Sequence, residues 1–432
     1  MASIRSIFLY DPACRTAGGA MQKKIQVRVS HKYGSTGLLP GLPYAATWQC
    51  NVLTTLLWVG VLTSPPRYTG IDLSTFWAWL RYASAISERY SGLRLKPVWS
   101  EIDTHQMSVM SDDFGMGFAC HYLAEQHGIQ AFANTSYLLD SLVGVASLRP
   151  SKRGPAKSPD FIGIDANSRL HVLECKGTQT SIDYLGIALE AGVDQKNNFS
   201  NGTIFASSMV GGIYVPQYSS KEDALLMYID PKVDSRIQKL ETLSPDLIEA
   251  GIYRISFAKE LMAAGLWQTA SAIGGGKQPT DYRESDGSVI ADELPSAGFS
   301  ELDLTWQRAI QYRSIEVDPI ESIFNEGEEE YQRLTSLTLE VPFDTVAFTR
   351  EVLDMDRGGA RSQADQLIVE RAKGRREKRR VRVSSQDSEN ASIRTRTRTV
   401  QSPWNEETFG PTSASLTGPS GIRFTLSRQK GD

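Results

Sequence analysis

Apolar and polar residues alternate in short runs over much of the first half of the chain, as in strands and amphipathic helices. Residues 25–29 (IQVRV) alternate with period two and predict a strand. Residues 52–63 are apolar almost throughout and predict a buried helix or strand. Residues 73–90 repeat apolar side chains at helical spacing. We therefore predict a helix there, with its aromatic side chains packed in a core or an interface.

The centre of the chain predicts helices and strands in turn. A helix is expected at 111–128, between the helix-starting Ser-Asp-Asp and the helix-ending Gly128. Strands follow at 161–164 and 170–176, joined by a turn, and a helix is expected at 182–197. Two more apolar strands are predicted near 212–215 and 224–229. This order predicts an α/β fold with helices flanking a mixed sheet.

The remainder of the chain is less regular. We expect helix over 231–266, a loop rich in Gly and Asp over 271–299, and a strand at 337–343. From about residue 357 few apolar residues remain, which predicts disorder with one short terminal element at 422–426.

Length and pattern together predict four regions. These are an N-terminal accessory region (1–96), an α/β domain (97–230), a C-terminal accessory region (231–355) and a basic, disordered tail (356–432).

Composition narrows the protein class. At 432 residues and 41% hydrophobic, with a net charge of -4, the chain can bury an ordinary globular core. Its most apolar run is too short to span a bilayer, and no early apolar run suits a secretory signal. The four cysteines are far apart and show no zinc-site spacing. We expect a soluble intracellular protein, cytoplasmic and without membrane association, that keeps its thiols reduced.

Candidate chemistry lies on the predicted strand pair. Glu174 and Lys176 are two residues apart on one strand, so their side chains leave the same face, while Cys175 points to the other. Charges in the centre of an apolar strand are costly unless they are paired or bound to metal. Asp160 opens the preceding strand, and its carboxylate can converge with that of Glu174 if the strands are antiparallel.

Two convergent carboxylates suit Mg²⁺, which prefers one or two protein carboxylates together with water and phosphate oxygens. Lys176 would orient and help to deprotonate an attacking water, and the metal would lower the pKa of that water and stabilise the transition state. The residues therefore predict a hydrolytic metal site. The alternative is a surface hairpin whose Glu174 and Lys176 form an ordinary ion pair.

The spacing of these residues resembles the PD-(D/E)XK nuclease superfamily, which has restriction-endonuclease-like folds. Pro159-Asp160 is followed by thirteen residues and then by Glu174-Cys175-Lys176. The resemblance covers about 111–229 and implies an αβββαβ core with a mixed central sheet.

The same resemblance implies roles for individual residues. Asp160 and Glu174 would bind Mg²⁺, or Mn²⁺ in its place, through their side chains, and Cys175 through its backbone carbonyl. Lys176 would be the catalytic lysine.

Two neighbouring helices would complete the site. In many members of the superfamily, the helix after the motif supplies a Gln or Lys, and here Gln195 or Lys196 matches. The first helix often supplies an acidic residue, for which Asp113 is the first candidate and Glu125 the second.

Basic residues suggest how nucleic acid could bind. Lys152, Arg153 and Lys157 precede the motif and are predicted to contact a phosphate backbone entering the site, as is Lys196. The basic run 371–382 has two interpretations, a solvated disordered tail or an arm that contacts phosphates without sequence preference.

These features predict a metal-dependent endonuclease acting on DNA, in restriction, phage defence or repair. RNA is a further candidate substrate, and a homodimer or a partner subunit is compatible with the sequence. The rival hypothesis is a catalytically inactive nuclease fold that serves as a nucleic-acid-binding or assembly subunit.

Overall fold

The structure is a computed structural model of the chain. It describes residues 21–30, 38–39, 41–67, 80, 82–142, 158–197, 204–230, 244–274, 305–317, 330–385, 394–408 and 412–430.

A seven-stranded mixed sheet forms the centre of the α/β part, in the order β2-β1-β7-β6-β5-β4-β3. Its strands are β1 Gln22–Ser30, β2 Ala45–Asn51, β3 Ile129–Asn134, β4 Phe161–Asp165, β5 Leu170–Thr178, β6 Phe205–Tyr214 and β7 Leu225–Ile229. The pairs β1–β7 and β5–β6 are parallel and the other neighbouring pairs are antiparallel. The predicted mixed sheet is confirmed, and the strands from the first accessory region belong to it.

Eight α-helices lie within the described residues. They are α1 Val52–Thr63, α2 Thr104–His127, α3 Thr135–Ser141, α4 Ile182–Asn197, α5 Pro245–Ala263, α6 Trp267–Gly274, α7 Phe343–Arg357 and α8 Arg361–Gly374. The apolar run 52–63 forms helix α1. This helix is buried along almost its whole length, as expected for a helix that is apolar on every side.

Helix α2 begins earlier than predicted. The Asp103 side chain caps it by accepting a hydrogen bond from His105 N at 2.8 Å, whereas Ser111 lies within the helix and its hydroxyl donates to Met107 O. The predicted end is confirmed, because Gly128 adopts the left-handed conformation (φ 72°) that closes a helix.

Helices α2 and α4 cover opposite faces of the sheet. Consecutive residues of a strand point to opposite faces. A Cβ added at Gly211 of β6 would meet Ala119 of α2, and one added at Gly212 would meet Leu189 of α4. The central strands are therefore buried between the two helices.

Helix α2 approaches β5 with backbone against backbone. A Cβ at Gly177 would lie 1.7 Å from the carbonyl oxygen of Ser111, and a Cβ at Gly115 would lie 2.6 Å from the carbonyl carbon of Lys176. These two glycines set the distance between the helix and the strand that carries the candidate site.

The C-terminal part has a sheet of its own. Five antiparallel strands pair in the order β12-β13-β14-β9-β8, and β10 and β11 form a separate ribbon. The strands are β8 Thr305–Val317, β9 Glu330–Pro342, β10 Glu377–Ser385, β11 Arg394–Ser402, β12 Asn405–Thr408, β13 Ser413–Thr417 and β14 Arg423–Lys430.

The prediction of disorder after residue 357 is wrong for the described residues, which form α8 and five strands. The few apolar residues of this segment join an existing core and do not have to build one. Trp404 packs on Trp58 of α1 with ring centroids 4.3 Å apart, and its indole N–H donates to Gln130 O at 2.7 Å. One hydrophobic core accordingly takes in residues from Met21 to Leu426.

Other predicted elements agree with the structure only in part. Within 73–90 the described residues form a short 3-10 turn at 82–85 and then extended chain, so the helix does not reach residue 90; Tyr82 is buried as expected. The predicted helix at 231–266 corresponds to α5, and the strand at 337–343 to the end of β9. Most of the predicted loop 271–299 lies outside the described residues. None of the described helices has the length and hydropathy needed to cross a membrane.

Candidate active site

Asp160 and Glu174 meet at the start of the β4–β5 hairpin. Phe161 pairs with Leu173, which sets Asp160 opposite Glu174 on the neighbouring strand. Asp160 N donates to Glu174 Oε2 at 3.2 Å, and Asp160 Oδ2 accepts a hydrogen bond from Cys175 N at 2.8 Å. The structure therefore brings together the two carboxylates that the sequence singled out.

Lys176 joins the same cluster. Its Nζ donates to Glu174 Oε1, and the two side chains share one face of β5 as their spacing predicts. The Glu174 side chain is fully buried, whereas that of Lys176 is 23% exposed. The ammonium group thus lies between a buried carboxylate and solvent.

The Cys175 side chain points away from this cluster. It is buried on the other face, where it interacts with the Cys120 thiol of α2, and burial raises its pKa well above the usual range. A protonated, buried thiol is a poor nucleophile. The part of Cys175 that faces Asp160 is its backbone, whose N–H binds the Asp160 carboxylate.

The acidic groups hold protons more tightly than usual. Burial, followed by repulsion from Asp160, raises the pKa of Glu174 to about 8. Burial also raises the pKa of Asp160, although its bond to Cys175 N opposes this. Two neighbouring carboxylates repel each other when both are charged, so a bound cation would stabilise both in their charged forms.

The surroundings of Lys176 favour its charged form. Burial works to lower its pKa, but the charge and hydrogen bond of Glu174, followed by the charge of Asp160, raise it above the usual value. Lys176 is therefore charged at neutral pH.

Helix α2 contributes a carboxylate that the sequence analysis missed. Asp112 is exposed, although partial burial of its carboxyl group raises its pKa; the charge of Lys176 lowers that pKa. The Asp112 charge in turn raises the pKa of Asp160. The signal for this residue was its place one turn before Gly115, where α2 touches the backbone of Lys176.

The two acidic residues predicted for this role have other partners. Asp113 Oδ2 accepts a hydrogen bond from the Tyr82 hydroxyl at 2.7 Å. Glu125 Oε2 accepts one from the Trp48 indole at 2.7 Å, thirteen residues along the helix from Asp112.

Helix α4 crosses directly over the pair on β5. A Cβ added at Gly192 would lie 3.1 Å from Glu174 Cγ and 3.2 Å from Lys176 Cε. Gln195 and Lys196 follow Gly192 by about one turn of the same helix. The side chains of these two residues lie outside the part that the structure describes.

The predicted basic contacts are described only in part. Lys152, Arg153 and Lys157 lie outside the described residues. The run 371–382 belongs to the folded chain, at the end of α8 and in β10, and several of its side chains have internal partners. Arg371 and Arg375 contact Asp344 at 3.1 and 2.7 Å, and Arg376 donates to Ala166 O at 2.8 Å.

The chemistry of this cluster is limited by the groups that it contains. It offers a buried carboxylate (Glu174), a half-buried one (Asp160), a charged lysine and an exposed third carboxylate within electrostatic range, all beside the open end of a strand hairpin. Comparison with protein-family models, with curated proteins and with solved structures finds no match to this chain.

Proposed function

We propose that this chain is a metal-dependent nuclease that hydrolyses the phosphodiester bonds of DNA at the Asp160 site. The observation that carries the proposal is the buried contact between Asp160 and Glu174, with the Lys176 ammonium hydrogen-bonded to Glu174. A surface ion pair would leave Glu174 in solvent, whereas Glu174 is fully buried. Burying two carboxylates side by side costs stability, and binding a cation offsets that cost.

The donor set fits Mg²⁺ or Mn²⁺. Asp160 and Glu174 supply carboxylate oxygens, and the backbone carbonyl of Cys175 is a further oxygen donor. Such a hard ion prefers oxygen donors and keeps water in its remaining positions. When bound it would lower the pKa of a coordinated water and stabilise negative charge on the phosphate.

The protein groups account for the other parts of the reaction. Lys176 would hold the attacking water by a hydrogen bond and stabilise the negative charge that develops on the phosphate oxygens. Asp112 would keep the ammonium group directed towards the site through its charge.

The order of elements around the site also supports the proposal. Helix α2, strand β3, the short helix α3, strands β4 and β5, helix α4 and strand β6 follow one another. Apart from α3, this is the αβββαβ order that the PD-(D/E)XK resemblance implies. Within this frame the motif residues lie on the second and third strands. The roles in restriction, phage defence or repair rest on that resemblance alone.

Incubation with nucleic acids tests the activity. The full chain is mixed with supercoiled plasmid, linear double-stranded DNA, single-stranded DNA and RNA, each with Mg²⁺, Mn²⁺ or chelator. We expect cleavage of DNA with either ion and none with chelator; nicking of the closed plasmid identifies an endonuclease. Binding without cleavage under every condition would contradict the proposal and favour the inactive binding subunit.

Asp112 and Asp113 provide a matched pair of variants. Asp112→Asn removes a charge that acts on both Lys176 and Asp160 and is expected to lower cleavage about 10- to 100-fold, the usual effect of a supporting residue at a metal site. Asp113→Asn retains an oxygen that can accept the Tyr82 hydrogen bond, and we expect cleavage close to wild type. Initial rates of plasmid nicking measure both; equal rates would exclude Asp112 from the site.

A further inference from the structure

A second cluster of metal-ligating side chains joins α2 to the C-terminal sheet. His121 and Glu125 lie one turn apart on α2, and Glu406 comes from β12. His121 Nε2 is 3.2 Å from Glu406 Oε2 and 3.9 Å from Glu125 Oε2. The three ligand atoms all lie within 4.8 Å of one another.

These separations suit a small divalent ion. Two ligands that are each about 2.1 Å from a tetrahedral ion lie about 3.4 Å apart. The distances from His121 to the two carboxylates, 3.2 and 3.9 Å, lie on either side of that value. Side-chain adjustments of about an ångström or less would bring the His121 and carboxylate atoms into coordination distance.

The surroundings of His121 favour the tautomer that a metal needs. Its Nδ1 lies 2.9 Å from the Thr55 hydroxyl, which itself donates to Asn51 O at 3.5 Å. With an ion bound, the imidazole hydrogen on Nδ1 would be donated to the Thr55 oxygen, and Nε2 would be free to coordinate, as in metal sites where the second ring nitrogen is held by an outer partner. Without an ion, the 3.2 Å contact between Nε2 and Glu406 Oε2 is a hydrogen bond.

The two carboxylates repel each other. The Glu125 and Glu406 ligand oxygens lie within 4.8 Å of each other. Arg379 also faces this pair, with its Nη1 3.6 Å from Glu406 Oε2. Glu406 Oε1 is buried, and it accepts no hydrogen bond of standard geometry from any described residue. A cation between these carboxylates would offset the repulsion.

Aromatic rings enclose the cluster on two sides and a cavity opens on a third. Trp48 meets the His121 ring edge-on at 4.9 Å, and Trp58 stacks on it at 6.2 Å. A cavity of about 390 Å³ is lined by Glu125, Trp48 and Arg379 among others. The two indole rings pack against the imidazole, and the cavity reaches the cluster at Glu125.

We propose that His121, Glu125 and Glu406 form a metal site separate from Asp160, which binds a divalent transition-metal ion such as Zn²⁺ or Mn²⁺. One imidazole and two carboxylates suit these ions better than Mg²⁺, which favours oxygen donors alone. With three protein ligands, at least one position remains for water or an anion in the cavity. The proposal does not depend on the nuclease activity.

The ion would link two parts of the chain that are far apart in sequence. Glu406 follows Glu125 by 281 residues, and closing so long a loop removes much conformational freedom from the unfolded chain. The two candidate sites are separated along α2, because Asp112 and Glu125 are thirteen residues, or about 20 Å, apart in a straight helix.

Metal stoichiometry and thermal stability test the site without recourse to activity. The full chain is stripped with chelator and incubated with Zn²⁺ in excess Mg²⁺, which occupies oxygen-only sites. After desalting, we expect about one zinc ion per chain by mass spectrometry and a rise in Tm, because an ion that binds only the folded state stabilises it. Co²⁺ in place of Zn²⁺ should give the visible absorption of a low-symmetry site.

Three variants decide the assignment. His121→Gln and Glu406→Gln should each reduce the bound zinc to background and remove the rise in Tm. His105→Gln changes an exposed histidine of the same helix and should behave as wild type. Far-UV circular dichroism establishes that each variant is folded. Full zinc occupancy in both cluster variants, or an unmodified chain that binds no zinc, would overturn the proposal in favour of an imidazolium ion paired with the two glutamates.

Discussion

Lys176→Ala is expected to lower the rate of metal-dependent DNA cleavage by about 10²- to 10³-fold, the usual contribution of a donor that stabilises charge in the transition state. The variant loses the only ammonium hydrogen-bonded to Glu174 among the described residues. The fold should survive, because Glu174, with its pKa already raised to about 8, can take up a proton when its partner is lost. Initial rates of plasmid nicking in saturating Mg²⁺ measure the effect.

A second variant separates the role of the lysine from that of the metal. Asp160→Asn should abolish cleavage together with Mg²⁺ binding, measured by calorimetry, whereas Lys176→Ala should still bind the ion. Lys373→Ala is the matched control, because Lys373 also forms an ion pair with a glutamate, 2.7 Å from Glu249, away from the Asp160 cluster. Wild-type cleavage by both site variants would remove the Asp160 cluster from the mechanism.

Gly177→Ala is expected to destabilise the protein by about 3 kcal/mol, at the upper end of the range for overpacked interiors. The added Cβ would lie 1.7 Å from Ser111 O, and both the strand and the helix present backbone there, which cannot move aside as a flexible side chain does. Helix α2 would have to shift away from β5. Urea unfolding followed by circular dichroism gives the change in the free energy of unfolding.

Gly186→Ala is the control for the glycine substitution. Gly186 lies within α4, and a Cβ there meets nothing within 4 Å. Alanine loses less conformational entropy than glycine in a helix, so this variant should be more stable than wild type by about 0.5–1 kcal/mol. Equal unfolding free energies for the two alanine variants would contradict the close approach of α2 to β5.

The hairpin of β4 and β5 was predictable because its information is local. Two short apolar runs, a turn at 165–168 and two charges spaced by two positions are all contained in some twenty residues. The charged pair on β5 carried a physical signal of its own, since an unpaired charge in an apolar strand is costly.

The elements that depend on distant partners were not predictable in this way. The segment beyond residue 357 has too few apolar residues for a core of its own. Trp404 is nevertheless buried, because it packs on Trp58 of α1. The choice between Asp112 and Asp113 likewise depended on the rotation of α2 against β5. One residue along a helix turns the side chain by about 100°, and only tertiary contacts determine which of two neighbours faces a site.

By itself, the sequence determined the α/β class, the motif strands and the meeting of Asp160, Glu174 and Lys176, because strand periodicity and pairing follow from residues close in the chain. Tertiary structure alone decided that the charge of Asp112 on α2 acts on Asp160, and that Glu406 meets His121 across 285 residues. Such meetings depend on the packing of whole elements around one core, and no local pattern encodes them. The feature shared by both clusters is the close approach of acidic groups with little access to solvent, a cost that a bound cation would offset.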